Sequence, residues 1–291
     1  MATTTAKAFE DFRGILALTE SQLTMISQRR EITEGYLQKS FGSSSNLILS
    51  KTILIGSAGR KTIIRPVEDV DVMAIFNNTN NIFDKYRYDS KLFLYRIRDA
   101  LNEYQVQVVG ARSQAVRLFY KANPHVDIAP VFRWDTGGFI IPNGSGGWNK
   151  TDPILHDTYM AERDKVLDYY LKPLIKMLKR WNLEHSSYFR SFHLEILTAS
   201  LFSKLGSNYR QALEMFFRTS QGRLSVFDPA DHSTDLSNYL SLSQRQNLVS
   251  NLDNAHQRSV KALNAESAGD HKESIHQWQM IFGSEFPSFT S

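Results

Sequence analysis

The sequence predicts an α+β protein with a mixed first half and an all-helical second half. Apolar and polar residues alternate with the period of a β-strand in several segments before residue 142, and such segments almost vanish afterwards. A glycine-rich stretch, Asn143 to Trp148, separates the two halves. Beyond it, apolar residues recur at helical spacing. We therefore expect two domains, residues 1–150 and residues 151–291.

Composition limits the classes of protein to consider. The 291 residues are 42% hydrophobic and 12% aromatic, enough to build a substantial core, which excludes a mostly disordered chain. There is no cysteine, which excludes disulfides, thiolate metal sites and a catalytic thiol. The net charge of +4 is too small to predict a partner by itself. Because no apolar run approaches the roughly 18 residues of a membrane span and the first residues lack a signal-peptide pattern, we expect a cytoplasmic protein with no membrane partner.

The first half begins with a long predicted helix. Its apolar spacing covers residues 20–37, and Thr19 with Gln22 forms a capping-box pattern at its start. A second helix is predicted at residues 91–104. Strand patterns occupy residues 52–55, 69–76, 115–120 and 126–132.

The second half contains only helical patterns. Asp152 and Pro153 make a good helix start, because proline suits the first helical position and aspartate caps free amides. Helical spacing holds from Tyr159 to Trp181, with a break expected at Pro173 because proline lacks the amide hydrogen. Further helices are predicted at residues 191–205, 208–218, 243–264 and 271–282.

Three aspartates are the candidate catalytic and metal-binding residues. Asp69 and Asp71 point to the same face of a predicted strand, so their charges repel unless a cation lies between them. Asp127 lies inside another apolar strand, where an unpaired carboxylate is costly. Hard oxygen ligands suit Mg²⁺ shared with substrate phosphates. Three carboxylates can hold the two metal ions of phosphoryl or nucleotidyl transfer, with Asp127 beside the attacking hydroxyl.

A glycine-serine turn precedes the paired aspartates. Gly56 permits close approach of a triphosphate to backbone amides, and the Ser57 hydroxyl can donate to its β and γ oxygens. A glycine-serine pair or an Asp-x-Asp pair is common alone. Their order along the chain, followed by a single aspartate on a third strand, favours a catalytic role over solvent-exposed strand edges.

The segments Gly56-Ser57, Asp69-Val-Asp71 and Asp127 resemble the polymerase β-type nucleotidyltransferase signature of poly(A) polymerases, oligoadenylate synthetases and cyclic GMP-AMP synthase. In the second half, Leu178-Lys-Arg-Trp181 and Ser191-Phe-His-Leu-Glu-Ile-Leu-Thr198 are similar to the helical lobe of oligoadenylate synthetases. Three further segments, Trp148 to Pro153, Phe227-Asp-Pro229 and the ending Trp278 to Pro287, resemble bacterial cGAS/DncV-like nucleotidyltransferases.

The resemblance implies a bilobal enzyme, with residues 1–150 as a polymerase β-like core, residues 151–291 as a helical nucleotide-binding lobe and the active site in the cleft between them. Such an enzyme makes a cyclic di- or trinucleotide from ribonucleoside triphosphates, ATP among them, with two Mg²⁺ ions or with Mn²⁺. Bacterial relatives serve anti-phage signalling, in which a separate effector protein senses the product. No obligatory DNA activator is expected, because the animal enzyme's cysteine-built zinc insertion cannot form here.

The resemblance also assigns roles residue by residue. Asp69, Asp71 and Asp127 become metal ligands and catalytic residues, with Asp127 the expected base. Four residues become nucleotide or phosphate contacts: Gly56, Ser57, Lys179 and Ser191.

Other interpretations stay open. The same chemistry could give linear oligonucleotides or tag RNA or protein, and an inactive relative could bind nucleotides or RNA as a module. In the helical half, Trp181, His193 and Glu195 are expected in the core. Arg60 and Lys61 could contact substrate or simply face solvent, and the same two alternatives apply to Lys176 beside Lys179. The bases, the linkage and the oligomeric state are not determined by the sequence.

Overall fold

A computed structural model describes residues 2–108, 114–231 and 233–290 of the chain. The chain forms two compact units. The sheet unit comprises Leu18–Lys61 and Pro66–Asp157, and the helical unit comprises Met1–Ala17, Thr62–Arg65 and Thr158–Ser291. The domains expected from sequence, 1–150 and 151–291, stay a prediction, because compactness alone does not define independently folding domains.

The secondary structure of the described residues is mixed. The helices are α1 (Thr5–Leu16), α2 (Glu20–Phe41), α3 (Gly56–Gly59), α4 (Ser90–Ala100), α5 (Pro153–Val166), α6 (Leu171–Glu184), α7 (Ser191–Leu201), α8 (Tyr209–Ser220), α9 (Leu242–Ser267) and α10 (His271–Phe282), with a 3₁₀ segment at Thr79–Lys85. The strands are β1 (Leu49–Leu54), β2 (Asp69–Phe76), β3 (Val106–Val108), β4 (Val116–Leu118), β5 (His125–Arg133), β6 (Phe139–Pro142) and β7 (Trp148–Thr151). The predicted α+β class is confirmed.

One sheet organises the sheet unit. Its central order is β1-β2-β5-β4-β3, with β6 paired to β5 and β7 paired to β6. The β2–β5 pair is parallel and the other pairs are antiparallel. Because β2 and β5 are far apart in sequence, their pairing brings together residues that the chain separates by more than fifty positions.

The centre of the sheet separates apolar from acidic side chains. On one face of β2 and β5, Val72, Val126 and Ile128 are fully buried. Phe76, at the end of β2, packs edge-to-face against Phe41 of α2 and Phe93 of α4. Since side chains alternate along a strand, the acidic residues of β2 and β5 emerge on the opposite face.

The helical unit has a large aromatic core. Trp181 and Trp278 are buried in it, and Phe9 and Phe12 of α1 pack against the ring of Phe282. Helix α1 was not predicted from the sequence, although the Thr4 side chain caps its first turn by accepting from the Lys7 amide. Among the residues described, every helix is too short or too polar to cross a membrane.

One local expectation from sequence was wrong. The helix break expected at Pro173 lies earlier, at Asp168 and Tyr169, whose φ angles are +52° and +63°. Pro173 instead occupies the first turn of α6, where an amide hydrogen has no intrahelical partner to lose. The glycine-rich stretch is the loop of the β6–β7 hairpin, closed by the Asn143 amide donating to the Gly147 carbonyl at 3.0 Å.

Candidate active site

Asp71 and Asp127 face each other across the parallel β2–β5 pair. They are directly opposite in the strand register, and Asp69, two residues before Asp71, lies on the same face. The Asp69 side chain is 49% exposed and that of Asp127 is 18% exposed. The structure therefore brings the three predicted aspartates into one cluster.

The pKa of Asp71 in this cluster is raised to about 6. Burial is the main cause, and the neighbouring charges of Asp127 and Asp69 raise it further. Two positive groups, Arg60 and Arg117, oppose the shift. Asp71 thus occupies a site where a negative charge is poorly compensated.

The turn at Gly56 lies against this cluster. The Ile55 amide donates to the Asp71 carbonyl at 3.0 Å, which fixes the end of β1 beside β2. Gly56 has a φ of +63°, and a Cβ at this position would overlap the Asp71 carboxylate. Glycine is therefore required by both conformation and space. Ser57 follows it in α3 and is partly exposed.

An arginine that the sequence analysis did not single out completes the cluster. Arg117 Nε donates to Asp127 Oδ1 at 2.6 Å, and Nη2 donates to Asp127 Oδ2 at 2.7 Å and to Asp69 Oδ2 at 2.6 Å. Its pKa is raised, chiefly by the hydrogen bond to Asp127. The sequence signal for this arginine was the alternation of Val116, Arg117 and Leu118 on a short strand. It places the charged side chain on one face and the two apolar side chains on the other.

The donor chemistry fits a divalent cation. In the part of the chain that the structure describes, no group of three or more histidine, aspartate or glutamate side chains forms a ready-made metal cage. Asp69, Asp71 and Asp127 nevertheless supply the carboxylate oxygens that Mg²⁺ prefers. The raised pKa of Asp71 and the guanidinium bridging the other two show that this cluster needs positive charge.

The predicted contacts from the second half lie in the helical unit. Lys179 Nζ forms an ion pair with Glu195 Oε1 at 2.6 Å and donates to Thr62 Oγ1 at 3.2 Å. Both charged side chains are buried. One turn earlier, Lys176 is partly buried, and its pKa is lowered by burial and then by the charges of Lys179 and Lys172. Ser191 is the exposed first residue of α7.

The residues expected in the core are there. Trp181 and Glu195 are buried, and His193 uses both ring nitrogens, one with the Tyr239 hydroxyl at 3.0 Å and one with the Leu224 carbonyl at 2.7 Å. Near the Gly56 turn, Arg60 is buried and Lys61 is exposed.

Comparison with known families decides the enzyme class. The sequence profile of the Second Messenger Oligonucleotide or Dinucleotide Synthetase domain matches residues 3–164, more than half of the chain. The chain belongs to this family. The resemblance to cGAS/DncV-like nucleotidyltransferases is therefore confirmed, as is the expected class of enzyme, a nucleotidyltransferase. The family is metal-dependent in general.

Two relatives that match over most of the chain agree with this family. A probable cyclic nucleotide synthase of Bacillus cereus (strain VD146) is 26% identical over 99% of both chains. The cyclic AMP-AMP-AMP synthase of Acinetobacter sp. (strain ATCC 27244 / 9458) is 25% identical over 82% of this chain and 74% of its own length.

Solved structures support the fold. CdnC of Escherichia coli MS115-1, in a complex with HORMA-deltaN, matches with a TM-score of 0.78 at 18% identity, over 97% of this chain and 98% of its own. The Vibrio cholerae cyclic AMP-GMP synthase DncV, bound to a linear intermediate, matches with a TM-score of 0.75 at 12% identity, over 99% and 97% of the two chains. The expected polymerase β-like fold with C-terminal helices is confirmed.

Proposed function

We propose that this synthetase joins ribonucleoside triphosphates into a cyclic di- or trinucleotide, releasing pyrophosphate at each step. The observation that carries the proposal is the register of Asp71 opposite Asp127, with Asp69 on the same face and the Gly56 turn alongside. A second-messenger synthetase needs three carboxylates for metal ions next to a turn that can bind phosphate, and these residues provide that arrangement.

Asp69, Asp71 and Asp127 would hold two Mg²⁺ ions, or Mn²⁺. When bound, these ions supply positive charge for the triphosphate and for the acceptor hydroxyl. The residues of the chain bind and position the donor triphosphate. The bare backbone at Gly56 admits the donor triphosphate, and Ser57 donates to its β and γ oxygens.

Asp127 accepts the proton of the attacking 2′ or 3′ hydroxyl. The new bond joins that oxygen to the α-phosphorus, and the bond from the α-phosphorus to the bridging oxygen breaks as pyrophosphate leaves. A second or third transfer within the linear product closes the ring. Lys179 and Ser191 contact the donor phosphates.

ATP is the first substrate we propose. A similar Escherichia coli structure holds ATP, a similar DncV structure holds ATP and GTP, and one curated relative is a cyclic AMP-AMP-AMP synthase. We further propose that the chain acts in the cytoplasm without a DNA activator, in bacterial anti-phage signalling, and that a separate effector protein senses the product.

The test incubates the purified chain with four labelled ribonucleoside triphosphates and Mg²⁺ or Mn²⁺, then treats the products with phosphatase and determines their mass. A cyclic product lacks terminal phosphates and survives. Linear products trimmed by phosphatase would support linear synthesis instead. RNA binding with steep salt dependence and no pyrophosphate release would support an inactive binding module.

Matched variants make the test specific to the cluster. Asp127→Asn should abolish pyrophosphate release, whereas Asp135→Asn, at an exposed position after β5, should leave it unchanged. Full turnover by the Asp127→Asn variant would contradict the proposed site.

A further inference from the structure

Arg117 belongs to a row of charged side chains that crosses three strands. It lies opposite Asp127 in the β4–β5 register, and Asp127 lies opposite Asp71 in the β5–β2 register. Its neighbours Val116 and Leu118 are buried on the other face of the sheet. Strand pairing therefore aims the guanidinium at the proposed metal ligands.

The guanidinium binds two of the three carboxylates. It holds Asp127 through both carboxylate oxygens, with bonds of 2.6 and 2.7 Å, and it holds Asp69 through one oxygen at 2.6 Å. The planar fork of arginine suits this arrangement, whereas a lysine ammonium would act as a point charge. The Arg117 side chain is 24% exposed, so solvent only partly screens these contacts.

A guanidinium and a divalent cation compete for the same oxygens. Both are positive, and at separations of a few ångströms their repulsion is large in a partly desolvated site. Asp69 is the weaker attachment, since it has one bond to Arg117 and Asp127 has two. Both oxygens of Asp127 accept from Arg117, so a cation that takes Asp127 must share an oxygen with the guanidinium or displace one of its hydrogen bonds.

We infer that Arg117 is a positioning residue that holds Asp69 and Asp127 in the metal-free protein and competes with divalent cations for them. The inference rests on the proposed function, because it takes these aspartates as metal ligands. The consequence is a defined order in which the cation and the nucleotide bind. A free divalent cation binds weakly, and the negative charge of a triphosphate offsets the added positive charge so that cation and nucleotide bind together.

Manganese binding to the nucleotide-free protein tests this directly, by electron paramagnetic resonance of the unbound ion. Arg117→Gln should bind Mn²⁺ about tenfold more tightly than the wild type, because a competing charge is gone. Arg133→Gln is the matched control, since Arg133 lies exposed at the end of β5 and stacks over Phe139. It should bind Mn²⁺ as the wild type does.

Two further measurements separate positioning from a purely structural role. In chelator, Arg117→Gln should unfold at a lower temperature than the wild type, and Mn²⁺ should raise its midpoint by more. A nonhydrolysable ATP analogue should increase the Mn²⁺ affinity of the wild type more than that of the variant. If Arg117→Gln does not fold, Arg117→Lys should give an intermediate Mn²⁺ affinity.

The outcomes are distinguishable. Unchanged or weaker Mn²⁺ binding by Arg117→Gln, or by Arg117→Lys if only that variant folds, overturns the inference. Asp71→Asn must weaken Mn²⁺ binding if the proposed metal site is correct. If Asp71→Asn binds Mn²⁺ as the wild type does, the proposed site fails and the inference falls with it. If only the Arg117 result is negative, the proposed function stands.

Discussion

Asp71 lies opposite Asp127 on two parallel neighbouring strands, with a pKa raised to about 6. Such a pair works against folding when no cation is bound, because burial and like charge both oppose ionisation. The proposed catalytic centre thus lowers the free energy of unfolding of the metal-free protein. Unfolding experiments therefore test this pair of charges independently of turnover.

Asp71→Asn should stabilise the metal-free protein while abolishing nucleotide transfer. The folded pKa of Asp71 is above its ordinary value of 3.8, so the folded state prefers the protonated form. Wild-type stability is therefore lost as pH rises from about 4 to about 6, by at most about 3 kcal/mol. Urea unfolding in chelator should show this gain for the variant above pH 6 and almost none near pH 4.

Asp135→Asn serves as the control, because Asp135 is an exposed residue of the same unit. Its unfolding free energy should follow that of the wild type at every pH. A metal-free Asp71→Asn protein that is less stable than the wild type at pH 7.5 would contradict the proposed electrostatic cost.

Gly56→Ala should destabilise the sheet unit by about 1–3 kcal/mol and reduce turnover. The added Cβ would overlap the Asp71 carboxylate, and the φ of +63° disfavours any residue other than glycine. Thermal or urea unfolding gives the change in stability, and pyrophosphate release gives the change in activity.

Gly35→Ala is the same substitution with the opposite expected sign. Gly35 lies inside α2, and a Cβ there would meet nothing within 4 Å. Since alanine favours the helix more than glycine, this variant should gain about 0.5–1 kcal/mol and keep full activity. Equal effects of the two substitutions would show that the Gly56 turn is not constrained.

Lys179→Met should lower the stability of the protein by about 3 kcal/mol as well as its affinity for the donor nucleotide. The loss of stability follows because the Glu195 carboxylate, 2.6 Å away in the core, would lose its ion-pair partner. The double variant Lys179→Met/Glu195→Gln should recover part of that stability, since it removes the buried charge too.

Unfolding free energies of the wild type, Lys179→Met, Glu195→Gln and the double variant form a complete cycle. A Lys179→Met protein with wild-type stability and only a raised KM would mean that the lysine contacts substrate without supporting the fold. A raised KM that persists in the stabilised double variant would support its proposed contact with the donor phosphates.

Local patterns carried much of the fold prediction. The strand at Asp69–Phe76 and the helix at His271–Phe282 have the predicted bounds, and the Thr19–Gln22 capping box starts α2 as expected. These features depend on alternation, helical spacing and side chains a few residues apart. Pro173 misled because a proline interrupts a helix only beyond its first turn, and the true start of α6 depends on the turn before it.

By itself, the sequence determined that Asp69 and Asp71 share one face of a strand, because the period of a strand is fixed by backbone geometry. Only the tertiary structure decided that Asp71 faces Asp127 and that Arg117 binds Asp127 and Asp69. Those contacts depend on which strands pair and in which register. Strand pairing is a long-range choice set by the packing of the whole sheet, and no short segment of the chain encodes it.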